Sequence, residues 1–357
     1  MVKASVCSSV VVVGALYAAL GCTPDVEGGQ SIIDSPRVLA IRSEPAEAAP
    51  KGNPPTPITW SALFVGPDGN QDPTELDWAV CTERKPLVTA GEMSLDCLAP
   101  TADVLIPLGD GESVTGTLPE DACRLFGPNP PLPKPGEPAP RPTDPDATGG
   151  FYQPLRVLVN LPAGEDYSVG LTRIQCGLAR VTAEQAIDYQ HRYRDNENPD
   201  LSAVVVASST GDLPLTDDPM TTATVKVGSH VTFRASWPDC PQTAECGDAI
   251  CGANEDKTNC PGDCTTPHGC AGSEPFIAFD LASRQILDRR EAMRVSWYST
   301  LGSFDHDRSG RTEDEAAAPY SDNTWTAPSS AADVLLWVVL RDDRGGVAYR
   351  SLLLHVE

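Results

Sequence analysis

Ten cysteines beyond residue 80, split into two even groups, constrain this chain more than any other feature. Cys81, Cys97, Cys123 and Cys176 form the first group; Cys240, Cys246, Cys251, Cys260, Cys264 and Cys270 form the second. Even sets in a chain of this kind read as disulfides, and disulfides imply an oxidising compartment. In the first group the expected bridges are Cys81–Cys97 and Cys123–Cys176; the connectivity of the second stays open. A bridge closing a loop of about 15 residues stabilises a fold by roughly 3 kcal/mol in the chain-entropy model. The chain also carries 34 prolines and 29 glycines among its 357 residues, which suits a turn-rich β protein.

The two remaining cysteines, Cys7 and Cys22, lie in or at the end of an apolar run from Val6 to Leu20, preceded by Lys3. That run is shorter than the roughly 20 residues a membrane-spanning helix needs, and it fits a signal-peptide core. Ala19-Leu20-Gly21-Cys22 resembles the lipobox of bacterial lipoproteins, with Ala19 where leucine is most frequent. The resemblance implies cleavage before Cys22 and a diacylglyceryl, palmitate-bearing cysteine that anchors the chain to a lipid bilayer. The even count of the other cysteines agrees, because an unlipidated Cys22 would be an odd thiol in an oxidising space. The alternative is an ordinary secretory signal with Cys22 as a spare thiol. The expected division is therefore a signal peptide at 1–21 and a polar tether at 22–35, on a lipid-anchored protein of the cell envelope, at the outer membrane.

Formal net charge is −24, with 50 acidic residues against 26 basic ones. Such a surface repels phosphate backbones, so nucleic-acid binding is excluded as an expectation. It also repels anionic lipid, leaving the acylated cysteine to hold the protein at a membrane.

From Pro36 onward the periodicity is β. Arg37–Arg42 reads as a strand, and Ile58, Trp60, Ala62 and Phe64 alternate along a second. Leu76, Trp78 and Val80 share a face of a third, and 155–161 with 167–176 make a further pair. Between them, 127–150 holds eight prolines from Pro128 to Pro142, which excludes a central strand and leaves an extended surface loop. One helix is signalled at 182–194: Thr182 and Gln185 form a capping-box pair, with Glu184 in the first turn and His191, Arg192 and Arg194 in the last. Ala183, Ala186, Ile187 and Gln190 share a face of it. A second domain is expected at 201–357, after an N-terminal domain at 36–200. Its strands are expected at 203–208, 223–227, 230–237, 275–280 and 293–300, with a closing hairpin over 334–356 that turns at Asp342-Asp343-Arg344-Gly345-Gly346.

Trp78 in LDWAV and Trp297 in RVSWYS occupy similar settings, each a tryptophan on a central strand between sheets. The run SWYSTLGSFD, NTWTAP and VLLWVVLRDDRGGVAYRSLLLHV resembles bacterial immunoglobulin-like and PKD- or cadherin-like surface domains. The fold this implies is all-β: two immunoglobulin-like β-sandwich domains, one short helix and a disulfide-rich insertion at 240–270. The cysteine pair that flanks the tryptophan in antibody domains is absent from the second half.

The insertion resembles the small CGDGxC…CPxDC repeat of secreted bacterial proteins, and more remotely the Ca²⁺-binding Notch-type repeat, with Ala249 in place of the usual glycine. Too short to own a core, it needs staples. Zinc is the competing use of paired cysteines, and the oxidising compartment favours disulfides. Asp248, Asn254, Glu255, Asp256 and Asp263 offer oxygen ligands of the kind Ca²⁺ takes; the same residues serve equally as solubilising turn residues. Asp305 to Gly310 begins like an EF-hand loop, but its twelfth position is Ala316, so a β-hairpin loop is expected there.

No H-E-x-x-H, G-x-S-x-G or Walker pattern occurs, and His191, His230, His268, His306 and His355 are scattered. The expected function is a non-catalytic binding or scaffolding module for an envelope protein or a glycan. A structural spacer and an envelope enzyme are the alternatives.

Overall fold

A computed structural model describes residues 30–357, other than 53, 73–75, 86–90, 100–102, 129–134, 137–144, 162–163, 210, 219–221, 242, 265–268 and 316–317. Cys22, the expected signal peptide at 1–21 and most of the proline-rich loop therefore lie outside the described residues. The fold is all-β, built as two immunoglobulin-like sandwiches.

In the first sandwich, one sheet joins β1 (Arg37–Glu44), β3 (Ile58–Gly66), β4 (Gly69–Asn70) and β7 (Ser113–Gly116). The facing sheet runs β2 (Glu47–Ala48), β9 (Gly164–Ile174), β8 (Tyr152–Leu161), β5 (Leu76–Cys81) and β6 (Leu105–Asp110). Ile58, Trp60, Ala62 and Phe64 point from β3 toward Leu76, Trp78 and Val80 of β5, and all are buried. The alternation seen in the sequence is thus the pleat of two inward faces. Trp78 Nε1 donates to the carbonyl of Gly111 (2.7 Å), which lets so polar a ring be buried completely.

The second sandwich sets the sheet β11 (Leu213–Pro214), β10 (Ala203–Ala207), β13 (His230–Ser236), β19 (Tyr320–Thr326), β17 (Ser303–Phe304) against another. The other runs β12 (Ala223–Val225), β21 (Val347–Val356), β20 (Ala332–Asp342), β16 (Met293–Ser299), β18 (Arg308–Arg311). Phe233, Trp297 and Trp325 meet between them, the Phe233 ring 6.3 Å from Trp297 and 5.6 Å from Trp325. Gly302, at φ +81°, lies so close to Trp325 that a Cβ would meet the ring at 2.4 Å. Glycine is required there on both counts. The EF-hand-like segment resolves into this β framework: Arg308–Arg311 is β18, paired with β16.

The sandwiches lie side by side, with sheet faces pressed together. Leu39 and Ala40 of β1 and Leu63 and Val65 of β3 pack on Trp337 and Val339 of β20 and Val347 of β21. Strand β20 therefore buries both faces: Val334, Leu336, Val338 and Leu340 into its own core, Trp337 and Val339 into the junction. The chain enters this junction too. Ser31 to Ile33, assigned to the tether from their polar surroundings, run beside β16, where Ile33 N–H donates to Ser299 O (2.9 Å) and Ile33 is buried.

One element sits elsewhere than expected. Pro275–Asp280, expected in the second sandwich, is β14 of a separate hairpin with β15 (Gln285–Arg290). That hairpin rests on the first domain: Arg289 Nη1 donates to Ala147 O (3.2 Å) and Arg284 Nη2 to Arg180 O (2.6 Å). A single-turn helix, α1 (Ala122–Leu125), carries Cys123 and had no clear sequence signal. The longer helix α2 (Ala183–Arg192) has the capping box, Gln185 N–H donating to Thr182 Oγ1 (3.2 Å). It buries no residue, and Ile187 is 56% exposed. It is held instead through Gln185 to Arg284 O (2.9 Å) and through an Arg192–Asp288 ion pair.

All ten cysteines beyond residue 80 are bonded: Cys81–Cys97, Cys123–Cys176, Cys240–Cys270, Cys246–Cys260 and Cys251–Cys264. The two-faced burial of β20 has a measurable consequence. Trp337→Ala should cost about 3–5 kcal/mol and should separate one calorimetric unfolding transition into two, because its ring fills the junction rather than either core.

Candidate functional site

Where the two sandwiches, the helix α2, the β14–β15 hairpin and the β20–β21 turn converge, Arg344 is wholly buried. The turn Asp342 to Gly346 carries it inward: Asp342 Oδ1 accepts from the N–H groups of Arg344 (2.9 Å) and Gly346 (2.7 Å), closing the turn on a buried carboxylate. From there Arg344 Nη1 lies 3.3 Å from Glu291 Oε1 and 3.6 Å from Glu274 Oε2. Its Nη2 lies 3.5 Å from Glu47 Oε2 and donates to Arg194 O at 2.7 Å. Glu47, on the two-residue strand β2, also receives Arg173 of β9 (3.3 Å), the Asn196 N–H (2.9 Å) and the Tyr193 hydroxyl. Asn198 completes the join, donating to Ser43 O (2.7 Å) and accepting from Val347 N–H (2.9 Å).

Five carboxylates (Glu47, Glu197, Glu274, Glu291, Asp342) share this interior with two guanidiniums (Arg173, Arg344), every one of them buried. Burying an unpaired charge is so costly that the group takes a proton instead. Burial, with Glu291 beside it, lifts Glu274 well above the usual carboxylate range. Glu291 is lifted likewise by burial and by Asp342. Asp342 is also raised by burial, and Asp343 is pushed up to about 6 by burial and then by the Asp342 charge. Tyr193 is pushed up to about 12, mainly by burial and the neighbouring Glu47. The cluster is a clasp between domains. Glu274 and Glu291 both face Arg344 and line neither of the grooves described next.

The Cys-rich insertion leaves β13 and folds back across the same junction, where Asp200 N–H donates to Ala271 O (2.7 Å) and Arg290 Nη2 to Cys240 O (2.7 Å). It walls a groove of about 750 Å³. Ile250, 47% exposed, and Asp263 stand on the insertion side; Arg42, Asn198, Tyr349 and Arg350 come from β1, the interdomain linker and β21. A second groove of about 640 Å³ lies between β3 and β21 and shares Tyr349 and Arg350 with the first. The lining is mixed, with guanidiniums, carboxylates, an exposed isoleucine and a tyrosine, a composition suited to a polar polymer with scattered apolar groups. None of Arg42, Asn198, Tyr349 and Arg350 had been singled out by spacing or motif. The apolar–polar hairpin over 334–356 was visible, but not what its outer residues face.

The oxygen-bearing residues of the insertion act as turn caps. Asp248 Oδ1 accepts from Ile250 N–H (2.8 Å), Asn254 Oδ1 from Ala244 N–H (2.8 Å) and Glu255 Oε2 from Gly252 N–H (3.0 Å). Asp256 accepts from the N–H groups of Asn259 (2.9 Å) and Thr258 (2.6 Å), which hold its carboxyl below the usual range. Asp263 caps Ala249 (3.0 Å) and Gly247. Of the five, the structure brings Glu255 and Asp263 to within 4.8 Å, around the Cys246–Cys260 bridge, whose sulfurs are spent on each other.

Among the described histidines, His191 is on α2, His230 on β13, His306 between β17 and β18 and His355 on β21, so no two share an element. His268 is outside the described residues. No described helix is long and apolar enough to cross a membrane.

No protein-family profile matches the chain, and no curated protein matches it. Among solved structures it is similar to a chimeric titin Z1Z2 functionalized with a KLER peptide from decorin, at 10% identity and TM-score 0.19, over 91% of this chain and 98% of that one. The C-terminal domain of the antigen I/II-family protein AspA of Streptococcus pyogenes aligns at 10% identity and TM-score 0.22, over 91% and 99%. Extracellular cadherin domains 3-6 of protocadherin gamma B2 align at 11% identity and TM-score 0.17, over 90% of this chain and 51% of theirs. Superpositions this loose carry no functional argument. Strand order and register define the class: a pair of immunoglobulin-like β-sandwiches locked through a buried ionic clasp.

Raised carboxyls set a pH dependence whose sign is opposite to the usual one. A group protonated more readily in the folded state stabilises it below the folded value and loses that contribution as pH rises from the unfolded value through the folded one. For Asp343 that window runs from 3.8 to about 6. Asp343→Asn should therefore gain on the wild type as pH rises from 4 to 7, by on the order of 1 kcal/mol after allowance for solvent screening. Urea melts at the two pH values measure it, and an equal difference at both would refute the assignment.

Proposed function

We propose that this protein is a lipid-anchored envelope module that binds, without catalysis, a protein or glycan ligand in the groove between its two sandwiches. The observation that carries the reading is the construction of that groove. Three disulfides stiffen one wall, and the apolar junction and the Arg344 clasp fix the opposite walls against each other. A preformed cleft avoids the ordering cost that a flexible pair of domains would meet on binding. The mixed lining supports a polar polymer over a compact apolar ligand, and Tyr349 offers a ring face for a sugar or an apolar side chain.

Anchorage through acylated Cys22 belongs to the same proposal, supported by its small-residue–cysteine context and by the pairing of all ten later cysteines with one another. The proposed module is read without a metal, its candidate Ca²⁺ ligands in the insertion serving as caps for backbone N–H groups. Calorimetric titration of the oxidised full chain with Ca²⁺ is expected to show no heat; heat abolished by Glu255→Gln would restore a calcium site.

Two measurements test the reading. A photo-crosslinking residue placed at Ile250 should capture a defined envelope protein or glycan in intact cells, and Arg350→Glu should cut that capture about tenfold, as expected for loss of one charge-assisted contact. Recovery of no specific molecule would favour a structural spacer. Labelled palmitate should enter the wild type and not Cys22→Ser, and label persisting in the variant would sink the anchor.

A further inference from the structure

Arg180 and Arg284 stand out on backbone grounds. They are two of the three non-glycine residues with positive φ among those described, at +58° and +56°. That conformation costs an L-residue stability that glycine does not lose. The two are also neighbours, since Arg284 Nη2 donates to the Arg180 carbonyl (2.6 Å). Neither guanidinium forms an ion pair among the described residues, although acidic residues outnumber basic ones 50 to 26 in the chain. By contrast Arg192, on the adjoining helix, pairs with both Asp188 and Asp288.

Both arginines rim a cleft of about 430 Å³ between the hairpin and the first sandwich, floored by Phe151, Leu178, Phe279 and Leu281. The cleft continues into a hollow of about 480 Å³ beneath α2, where Tyr189 and Tyr193 stack at 4.9 Å. Leu281 remains 40% exposed beside it. The combination is an apolar floor under two exposed cations that form no ion pair among the described residues, on a protein whose net charge is strongly negative.

We propose that this cleft docks an acidic peptide segment of a partner protein. A carboxylate side chain sits against the Arg180 and Arg284 guanidiniums, and a neighbouring leucine or aromatic side chain lies on Phe151, Leu178 and Phe279. Guanidinium–carboxylate pairing supplies orientation and charge-assisted hydrogen bonds, and the apolar floor supplies area. A peptide is favoured over an anionic bilayer because the net charge of −24 repels a lipid surface as a whole, while a single segment can reach the local cationic rim. The cleft shares no lining residue with the groove between Ile250 and Arg350, so it stands or falls separately.

The test is a phage-displayed library of random peptides, panned on the oxidised full chain, with enriched sequences labelled with fluorescein and titrated by anisotropy. Enriched peptides should carry Asp or Glu within a few positions of Leu, Phe or Trp. Arg180→Gly with Arg284→Gly should weaken their binding at least about tenfold. Glycine relieves both left-handed positions but removes the Arg284 Nη2 bond to the Arg180 carbonyl, so the same variant should melt within a few degrees of the wild type. Lost binding with preserved stability separates a binding role from a structural one. Leu281→Asp should weaken binding, and Arg350→Glu should leave it unchanged. Enrichment of sequences without acidic residues, affinity unaffected by the double variant, or equal dependence on both arginines for phosphatidylglycerol vesicles would overturn the proposal.

Discussion

A guanidinium taken wholly out of water repays its desolvation only if nearly every donor finds an acceptor, and Arg344 draws those acceptors from across the molecule. Glu47 comes from the first sandwich, the Arg194 carbonyl from the interdomain linker, and Glu274 and Glu291 from the two ends of the β14–β15 hairpin. Truncating one partner of such a set is costly, about 3–5 kcal/mol in measured cases, because the others stay buried without compensation. The apolar junction around Trp337 supplies area, but area alone permits sliding. The clasp sets direction, since Arg344 reaches Glu47, Glu291 and the Arg194 carbonyl together, and these come from different parts of the fold.

That fixed arrangement is what gives the surface its grooves. The insertion at 240–270 has no core of its own; its shape comes from three disulfides and a series of side-chain caps on backbone N–H groups. It becomes a wall only because the linker and β21 are held opposite it. The hairpin obeys the same logic: by sequence it belongs to the second half, yet it lies on the first and creates the arginine-rimmed cleft there.

Much of this architecture was legible in the sequence. The alternation of Ile58, Trp60, Ala62 and Phe64, the tryptophans of β5 and β16, the capping box of α2 and the closing hairpin all express local periodicity or local chemistry. The insertion was legible through its cysteine spacing. What escaped was long-range. In β20 the residues between Val334, Leu336, Val338 and Leu340 are Leu335, Trp337 and Val339, and an unbroken apolar run of this kind marks a strand covered on both faces. Glu47 lies in a stretch that reads as a polar loop, SEPAEAAPKG, and its partners are more than a hundred residues away. Arg344 sits in a turn whose DDRGG composition suggests only solvent. Charged residues in turns are usually exposed, so nothing local distinguished this one. The grooves escaped for the same reason, being assembled from residues whose neighbours are set by the docking of domains.

The pairing of Ser31 to Ile33 with β16 bears on how force would travel through the molecule. A pull delivered along the chain from residue 30 meets the second sandwich before it reaches β1 of the first. The load therefore passes into both sandwiches at their shared seam rather than through one and then the other. The seam between the sandwiches, rather than either core, is thus the first part of the molecule to bear such a load.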